Sequence, residues 1–136
     1  MTPAGILESV LYVDDLEAAR QFYGDVLGMS PFAEAKGRHL FYRCGEQVFL
    51  LFNADATRVP AVGAAITVPT HGATGQGHLC FRASEEEIGL WRNTLVSRGI
   101  EIEADFEWPQ GGRSIYFRDP SGNSLEFAEP RIWGLQ

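Results

Sequence analysis

The chain has little cysteine, an excess of negative over positive charge and no long apolar run. Two cysteines among 136 residues are too few for a disulfide scaffold and are typical of a reducing compartment. Eleven basic against eighteen acidic residues give a net charge of −7, which disfavours nucleic acid or an anionic membrane as a partner. No stretch approaches the roughly 18 apolar residues of a membrane-spanning helix. The first ten residues also lack the pattern of a secretory signal. We therefore expect a cytoplasmic protein without membrane association.

What the sequence does contain is a strand, a helix and three further strands, in that order, in its first half. A β-rich run over 6–13 ends at Asp14, which with Glu17 has the spacing of a capping box and predicts a helix start. Apolar residues then recur at helical spacing until Gly28, a typical helix stop. Three short strands follow around 31–35, 39–44 and 47–53, separated by Gly37 and Gly45.

The second half repeats that order. A strand over 78–83 leads into a capping box from Ser84 to Glu87, and the helix that begins there ends at Gly99. Strands are predicted over 100–108, 114–118 and 124–128. Superposing the halves places Glu8 on His78. One half alone would leave a sheet face uncovered, so we expect the two to pack together or to exchange with a second chain.

The repeat sets the predicted organisation of a single domain. Module one covers 5–53, a Pro/Gly/Thr-rich linker covers 54–75, module two covers 76–130, and a tail covers 131–136. A single ferredoxin-like α+β domain is the competing interpretation, because its helix and strand counts also suit the sequence.

Three motifs carry a family resemblance: ILESVLYVDDLEAARQFYGDVLGM (6–29), GHLCF (77–81) and GRSIYFRDPSGNSLEF (112–127). They resemble the vicinal oxygen chelate superfamily, which includes glyoxalase I, fosfomycin-resistance enzymes, extradiol dioxygenases and bleomycin-resistance proteins. The last motif is most similar to the fosfomycin-resistance branch. The resemblance implies an α+β fold in which two βαβββ modules form an eight-stranded, cup-shaped mixed sheet with the helices outside. It also implies a metal inside the cup and a homodimer.

The resemblance also implies where the metal ligands lie. The family's positions fall on Glu8, on Leu50 or Leu51, on His78 and on Glu126. Leucine cannot bind a metal, so three ligands remain. Two carboxylates and one imidazole suit Mn²⁺, Fe²⁺, Ni²⁺ or Zn²⁺ without selecting one of them. Each residue taken singly is also compatible with the solvated face of an antiparallel sheet; the three together favour metal binding.

Other residues are candidates for substrate contact. Arg113 could hold an anionic group, although a cross-strand ion pair explains it equally well. Three aromatic side chains are predicted to line the cup, although aromatics at strand spacing usually belong to the core. They are Tyr12, Trp108 and Tyr116. His71 lies in a loop from which it could carry a proton, and Cys80 could reach the metal.

Three functions follow from these residues. The leading hypothesis is a metal-dependent glyoxalase-like enzyme, a lyase, isomerase or epoxide-opening transferase, whose small substrate binds the metal through two adjacent oxygens. Glu8 would serve either as a metal ligand or as the general base. The alternative is a metal-free protein that sequesters a ligand, as bleomycin-resistance proteins do, and the acidic composition would suit a cationic ligand. An extradiol dioxygenase is disfavoured because only one histidine is in place.

Overall fold

A computed structural model describes all 136 residues, and its chain divides into two compact units. Unit one comprises Met1–Gly75 and unit two comprises Gln76–Gln136. No helix in the chain has both the length and the apolar character needed to cross a membrane. Each unit has its own sheet, its own helix packed on that sheet and its own buried core.

Unit one is a four-stranded mixed sheet with one helix packed against it. The sheet order is β1-β4-β3-β2, with β1 and β4 parallel and the remaining pairs antiparallel. A one-turn helix, α2, follows the sheet. The elements are β1 (Glu8–Tyr12), α1 (Leu16–Asp25), β2 (Ala33–Ala35), β3 (His39–Cys44), β4 (Gln47–Phe52) and α2 (Ala54–Thr57).

Unit two has the same topology. Its sheet order is β5-β8-β7-β6, again with the first and last strands of the unit paired in parallel. The elements are β5 (His78–Arg82), α3 (Glu85–Ser97), β6 (Ala104–Glu107), β7 (Arg113–Arg118), β8 (Ser124–Ala128) and a 3₁₀ turn (Pro130–Trp133). This α+β arrangement of two βαβββ units confirms the predicted repeat and excludes a single ferredoxin-like sheet.

In each unit one sheet face is covered by the helix and the other is not. Strand side chains alternate between faces, so a β-strand facing a helix shows every second residue buried. In unit one Tyr23 of α1 is fully buried against Tyr42 and Phe49, with ring centroids 6.0 and 5.4 Å away. In unit two Trp91 of α3 stacks on Phe127 at 4.6 Å. We call the opposite side of each sheet its helix-free face.

The helix boundaries follow the glycines and caps of the sequence, with one shift. The Ser84–Glu87 capping box is present as predicted. In α1, however, the N-cap is Asp15, whose carboxylate accepts a hydrogen bond from the backbone N–H of Ala18 at 2.9 Å. The predicted start at Asp14 was therefore one residue early, because two adjacent aspartates offer equivalent capping groups.

Two other predicted boundaries were too broad. Strand β6 begins at Ala104 rather than at residue 100, because the N–H of Ile100 bonds back to the carbonyl of Leu95 and closes helix α3. The segment predicted as a linker begins with α2, which Asn53 caps by accepting a hydrogen bond from Ala56 N–H at 3.1 Å. A polar cap and a single turn are too short to leave a periodic signal.

Candidate functional site on the helix-free face of unit two

A carboxylate lies at the centre of the helix-free face of unit two. The strand register pairs Glu126 of β8 with Cys80 of β5 on one side and with Tyr116 of β7 on the other. His78, two residues before Cys80, points to the same face because side chains alternate along a strand. Unit two therefore brings the predicted ligands His78 and Glu126 together.

The orientation of the His78 ring is fixed by its own backbone surroundings. Nδ1 lies 3.0 Å from the carbonyl oxygen of Ser124, and a carbonyl oxygen only accepts, so Nδ1 carries a hydrogen. Nε2 then faces Oε2 of Glu126 at 3.2 Å. The ring nitrogen and the carboxylate oxygen are thus placed to share a proton or a metal ion. A backbone carbonyl that orients a ligating histidine in this way is a common feature of metal sites.

Glu126 is buried and only partly satisfied. It is 5 % exposed, and its second carboxylate oxygen, Oε1, has no hydrogen-bond partner. Leaving a buried acceptor unpaired costs about 1–3 kcal/mol, and more for a charged group. A cation bound by Nε2 of His78 and by the carboxylate, Oε1 included, would remove that cost. The donor set of one imidazole nitrogen and one carboxylate therefore fits a divalent transition metal.

The neighbours of Glu126 respond to its negative charge. Burial first, and then a hydrogen bond to Glu126, raise the pKa of the Tyr116 hydroxyl to about 12. Burial and the charge of Glu126 likewise raise the pKa of the Cys80 thiol to about 12. Both groups are therefore protonated near neutral pH and are hydrogen-bond donors on this face, not nucleophiles.

An aromatic row extends from the site across the sheet. The ring of His78 stacks on Tyr116 with centroids 6.2 Å apart, and Tyr116 stacks on Phe106 at 5.9 Å. Trp108 meets Phe106 at 5.0 Å, and its indole N–H donates to Oγ of Ser114 at 2.8 Å. Trp108 and Tyr116 thus lie where the sequence predicted substrate-contacting aromatics. The fully buried Ser114 was not predicted, although its place two residues before Tyr116 on one strand pointed to the same face.

Arg113 is on the other side of the sheet. It shares a strand face with the buried Ile115, two residues on, and makes a two-point ion pair with Asp105, at 2.8 and 2.9 Å. Arg92 of α3 donates to the same carboxylate at 3.0 Å. The structure therefore does not bring Arg113 to the face of His78 and Glu126. It is a structural cation between helix and sheet, as the ion-pair interpretation of the sequence held.

Unit one carries the remaining predicted residues. Glu8 begins β1 as His78 begins β5, and it is exposed on the helix-free face of unit one. Leu50 pairs with Val10 as Glu126 pairs with Cys80, so the register identifies Leu50 as the counterpart of Glu126. Within neither unit do three or more histidine, cysteine, aspartate or glutamate side chains group together to hold a metal.

The fold and the imidazole–carboxylate pair thus define a two-repeat α+β protein with a histidine and a buried glutamate adjacent on a helix-free sheet face. The family model for the glyoxalase, bleomycin resistance protein and dioxygenase superfamily matches residues 5–127. The chain belongs to this superfamily.

Solved structures support that assignment. A lactoylglutathione lyase from Agrobacterium tumefaciens is 39% identical, with a TM-score of 0.91 over 99% of this chain and 100% of the other. A glyoxalase/bleomycin resistance protein/dioxygenase from Nocardioides is 25% identical, with a TM-score of 0.73 over 95% and 85% of the two chains. A virulence protein from Salmonella typhimurium is 27% identical, with a TM-score of 0.70 over 95% and 98%.

Proposed function

We propose that the protein is a metal-dependent glyoxalase-like enzyme acting on a small molecule that presents two adjacent oxygens. The observation that carries the proposal is the 3.2 Å approach of His78 Nε2 to a buried carboxylate whose other oxygen has no partner. A buried, half-satisfied charge is costly unless a ligand completes it. The likeness to a lactoylglutathione lyase supports lyase or isomerase chemistry, and an epoxide-opening transferase is the related possibility within the superfamily.

His78 and Glu126 would hold the metal, and Mn²⁺, Fe²⁺, Ni²⁺ and Zn²⁺ all suit this nitrogen and oxygen pair. A metal held there would act as a Lewis acid and stabilise negative charge on a substrate oxygen. Glu8 lies in the other unit, and its role as third ligand or as general base stays a prediction from the sequence. Two or three protein ligands would leave coordination positions open for substrate, as a catalytic site requires.

The residues around the pair would bind and orient the substrate. Tyr116 keeps its proton near neutral pH and can donate to a substrate oxygen, since its pKa is raised to about 12. Ser114 accepts a hydrogen bond from the Trp108 indole and also hydrogen-bonds to Tyr116, so it would help to fix the position of the Tyr116 ring. The Trp108 and Phe106 rings provide an apolar surface that excludes water from one side of the site. Tyr12, on the helix-free face of unit one, is a predicted substrate contact.

The test is the metal content of the purified, tag-free protein. We expect about one equivalent of a transition metal after incubation with Mn²⁺, Ni²⁺ or Zn²⁺, and its loss in His78→Ala and Glu126→Gln. Glu107→Gln, which changes an exposed glutamate on β6, is the matched control and should keep the metal. Metal retained in both site variants would refute the assignment.

Glu8→Gln separates the two roles of that residue. A variant that binds metal normally but loses turnover of a 1,2-dioxygenated substrate would identify Glu8 as the base, whereas loss of metal would identify a ligand. No metal in any sample, together with stoichiometric binding of a cationic drug that chelators do not affect, would instead support the sequestering alternative.

Homodimerisation is also part of the proposal. Sedimentation of the purified chain should give the mass of two copies, and the mass of one copy would contradict it.

A further inference from the structure

His78 is the first residue of β5, and its exposure leaves it little packing to hold it in place. No helix or strand lies between Thr57 and His78, so β5 begins directly after a long irregular segment. The side chain of His78 is 51% exposed, and the first residues of a strand fray unless other contacts hold them. A histidine that keeps Nε2 within 3.2 Å of Glu126 therefore needs support from outside its own strand.

That support comes from the turn between β7 and β8. The backbone N–H of Gly77 donates to Oδ1 of Asn123 at 2.7 Å, and the carbonyl of Gly77 accepts from the backbone N–H of Ser124 at 2.9 Å. The residue next to Gly77 is His78, whose Nδ1 donates to the carbonyl of Ser124 at 3.0 Å. The end of this turn thus holds both the backbone that leads into His78 and the imidazole ring itself.

A buried carboxylate determines which end of the Asn123 amide faces Gly77. Asn123 and Asp119 are 1% and 4% exposed, so both must form their hydrogen bonds within the protein. Oδ2 of Asp119 accepts from Nδ2 of Asn123 at 2.9 Å, which leaves the amide oxygen to face Gly77. Oδ1 of Asp119 accepts from the backbone N–H groups of Ser121 and Asn123 at 3.0 and 2.9 Å. Both carboxylate oxygens of Asp119 are therefore used as acceptors.

Unit one has the same strand order but a much shorter turn at the corresponding place. There the turn consists of Gly45 and Glu46 alone, whereas the turn of unit two spans 119–123. Neither residue of the short turn offers an amide side chain that could accept from the neighbouring strand. The longer turn thus belongs to the unit whose first strand begins with His78, and the shorter one to the unit whose first strand begins with Glu8.

We propose that Asn123 and Asp119 are positioning residues for His78, which hold the start of β5 so that the imidazole faces Glu126. Asn123 acts through the backbone of Gly77, and Asp119 acts by orienting the Asn123 amide. The consequence for metal binding rests on the proposed function, whereas the positioning of the ring does not. Partners that orient a ligating histidine contribute about 10- to 100-fold to metal affinity.

Two variants release the His78 segment in different ways. Asn123→Ala removes the amide oxygen that accepts from Gly77. Asp119→Asn keeps the size of the side chain, but an amide has one oxygen where the carboxylate uses two, so the Asn123 amide is no longer held in one orientation. Asn53→Ala is the matched control, because it removes an asparagine that accepts from the backbone N–H of Ala56 at 3.1 Å in unit one.

The first measurement is made by NMR in EDTA, so that metal does not contribute. In both turn variants the amide of Gly77 should exchange about 10-fold faster relative to that of Ala83, the effect of losing one hydrogen bond. Ala83 is the internal reference because its N–H donates to Ala128 at the other end of β5. The ring resonances of His78 should move toward their random-coil positions, and Asn53→Ala should change neither observable. Equal acceleration at both amides would indicate general destabilisation, and that result or an unchanged His78 ring would overturn the proposal.

The second measurement is the affinity for Mn²⁺, Ni²⁺ or Zn²⁺, determined by competition with a fluorescent chelator. Both turn variants should bind the metal about 10- to 100-fold more weakly than the wild type, and Asn53→Ala should bind it normally. Unchanged affinity in variants whose His78 ring has moved would overturn the positioning role. If the wild type itself bound no metal, the proposed function would fail, while the exchange and ring measurements would still decide whether the turn holds His78.

Discussion

Replacing Glu126 with leucine should make the metal-free protein more stable. The substitution removes a buried carboxylate oxygen that has no partner, a penalty of about 1–3 kcal/mol. It also removes the contact with the half-exposed His78 and the hydrogen bond with Tyr116, each worth at most about 1 kcal/mol, and the apolar burial of leucine offsets that loss. Leucine fits the position in shape, because Leu50 fills the corresponding place in unit one and is only 6% exposed. We expect a net gain of about 1–2 kcal/mol.

The assay is urea unfolding followed by tryptophan fluorescence, first with EDTA and then with saturating Zn²⁺ or Mn²⁺. In EDTA, Glu126→Leu should have the higher midpoint, and Glu126→Gln should fall near the wild type. With metal at about 100 times its dissociation constant, the wild type should gain about 2.7 kcal/mol and the leucine variant nothing, so that the order reverses. If Glu126→Leu were less stable than the wild type in EDTA, the carboxylate would be a satisfied structural group, and our reasoning about the site would be wrong.

Three further predictions concern the cap of helix α3, the Cys80 thiol and the Glu129 carboxylate. Ser84→Ala should cost about 1 kcal/mol of unfolding free energy through loss of the N-cap of α3, with no change in metal content. Iodoacetamide should alkylate Cys80 far more slowly at pH 8 than a free thiol, since its pKa is raised to about 12, and Glu126→Gln should accelerate the reaction because it removes a negative charge that opposes the thiolate. Hydrogen bonds from Arg131, the largest cause, lower the pKa of Glu129 below 4.5, so its contribution to stability is present above that pH and lost as the pH falls. Acid titration of Glu129→Gln should therefore show a smaller loss of stability below pH 4.5 than the wild type; equal losses would exclude this role.

Sequence patterns predicted the helix ends well because capping and helix termination depend on residues close together in the chain. The capping box at Ser84 and the helix stop at Gly99 each depend on groups within a few residues, and the structure has both. Gly28 is left-handed as a helix-ending glycine should be, but α1 itself already ends at Asp25. The family resemblance gave His78 and Glu126 as neighbours, and the register of β5 and β8 has both side chains on one face.

The features that sequence reasoning missed depend on contacts between residues far apart in the chain. The sequence alone left Arg113 on either side of its strand; in the structure it pairs with Asp105, which also accepts a hydrogen bond from Arg92 of helix α3. The contact of Tyr12 with His71 joins residues 59 positions apart, and the segment that carries His71 has no hydrophobic period from which its position could be predicted. Such contacts are set by tertiary packing rather than by propensity.

The parallel pairing of the first and last strands in each unit has a consequence for how the chain folds. Neither sheet can close until its final strand has been synthesised, and both closures join residues that are distant in sequence, which slows folding relative to a chain of local hairpins. Because β4 is complete before β5 begins, the nascent chain can finish the first sheet while the second is still emerging from the ribosome. Substitutions that weaken the β5–β8 pairing should therefore lower the yield of native protein through slow maturation of the second sheet.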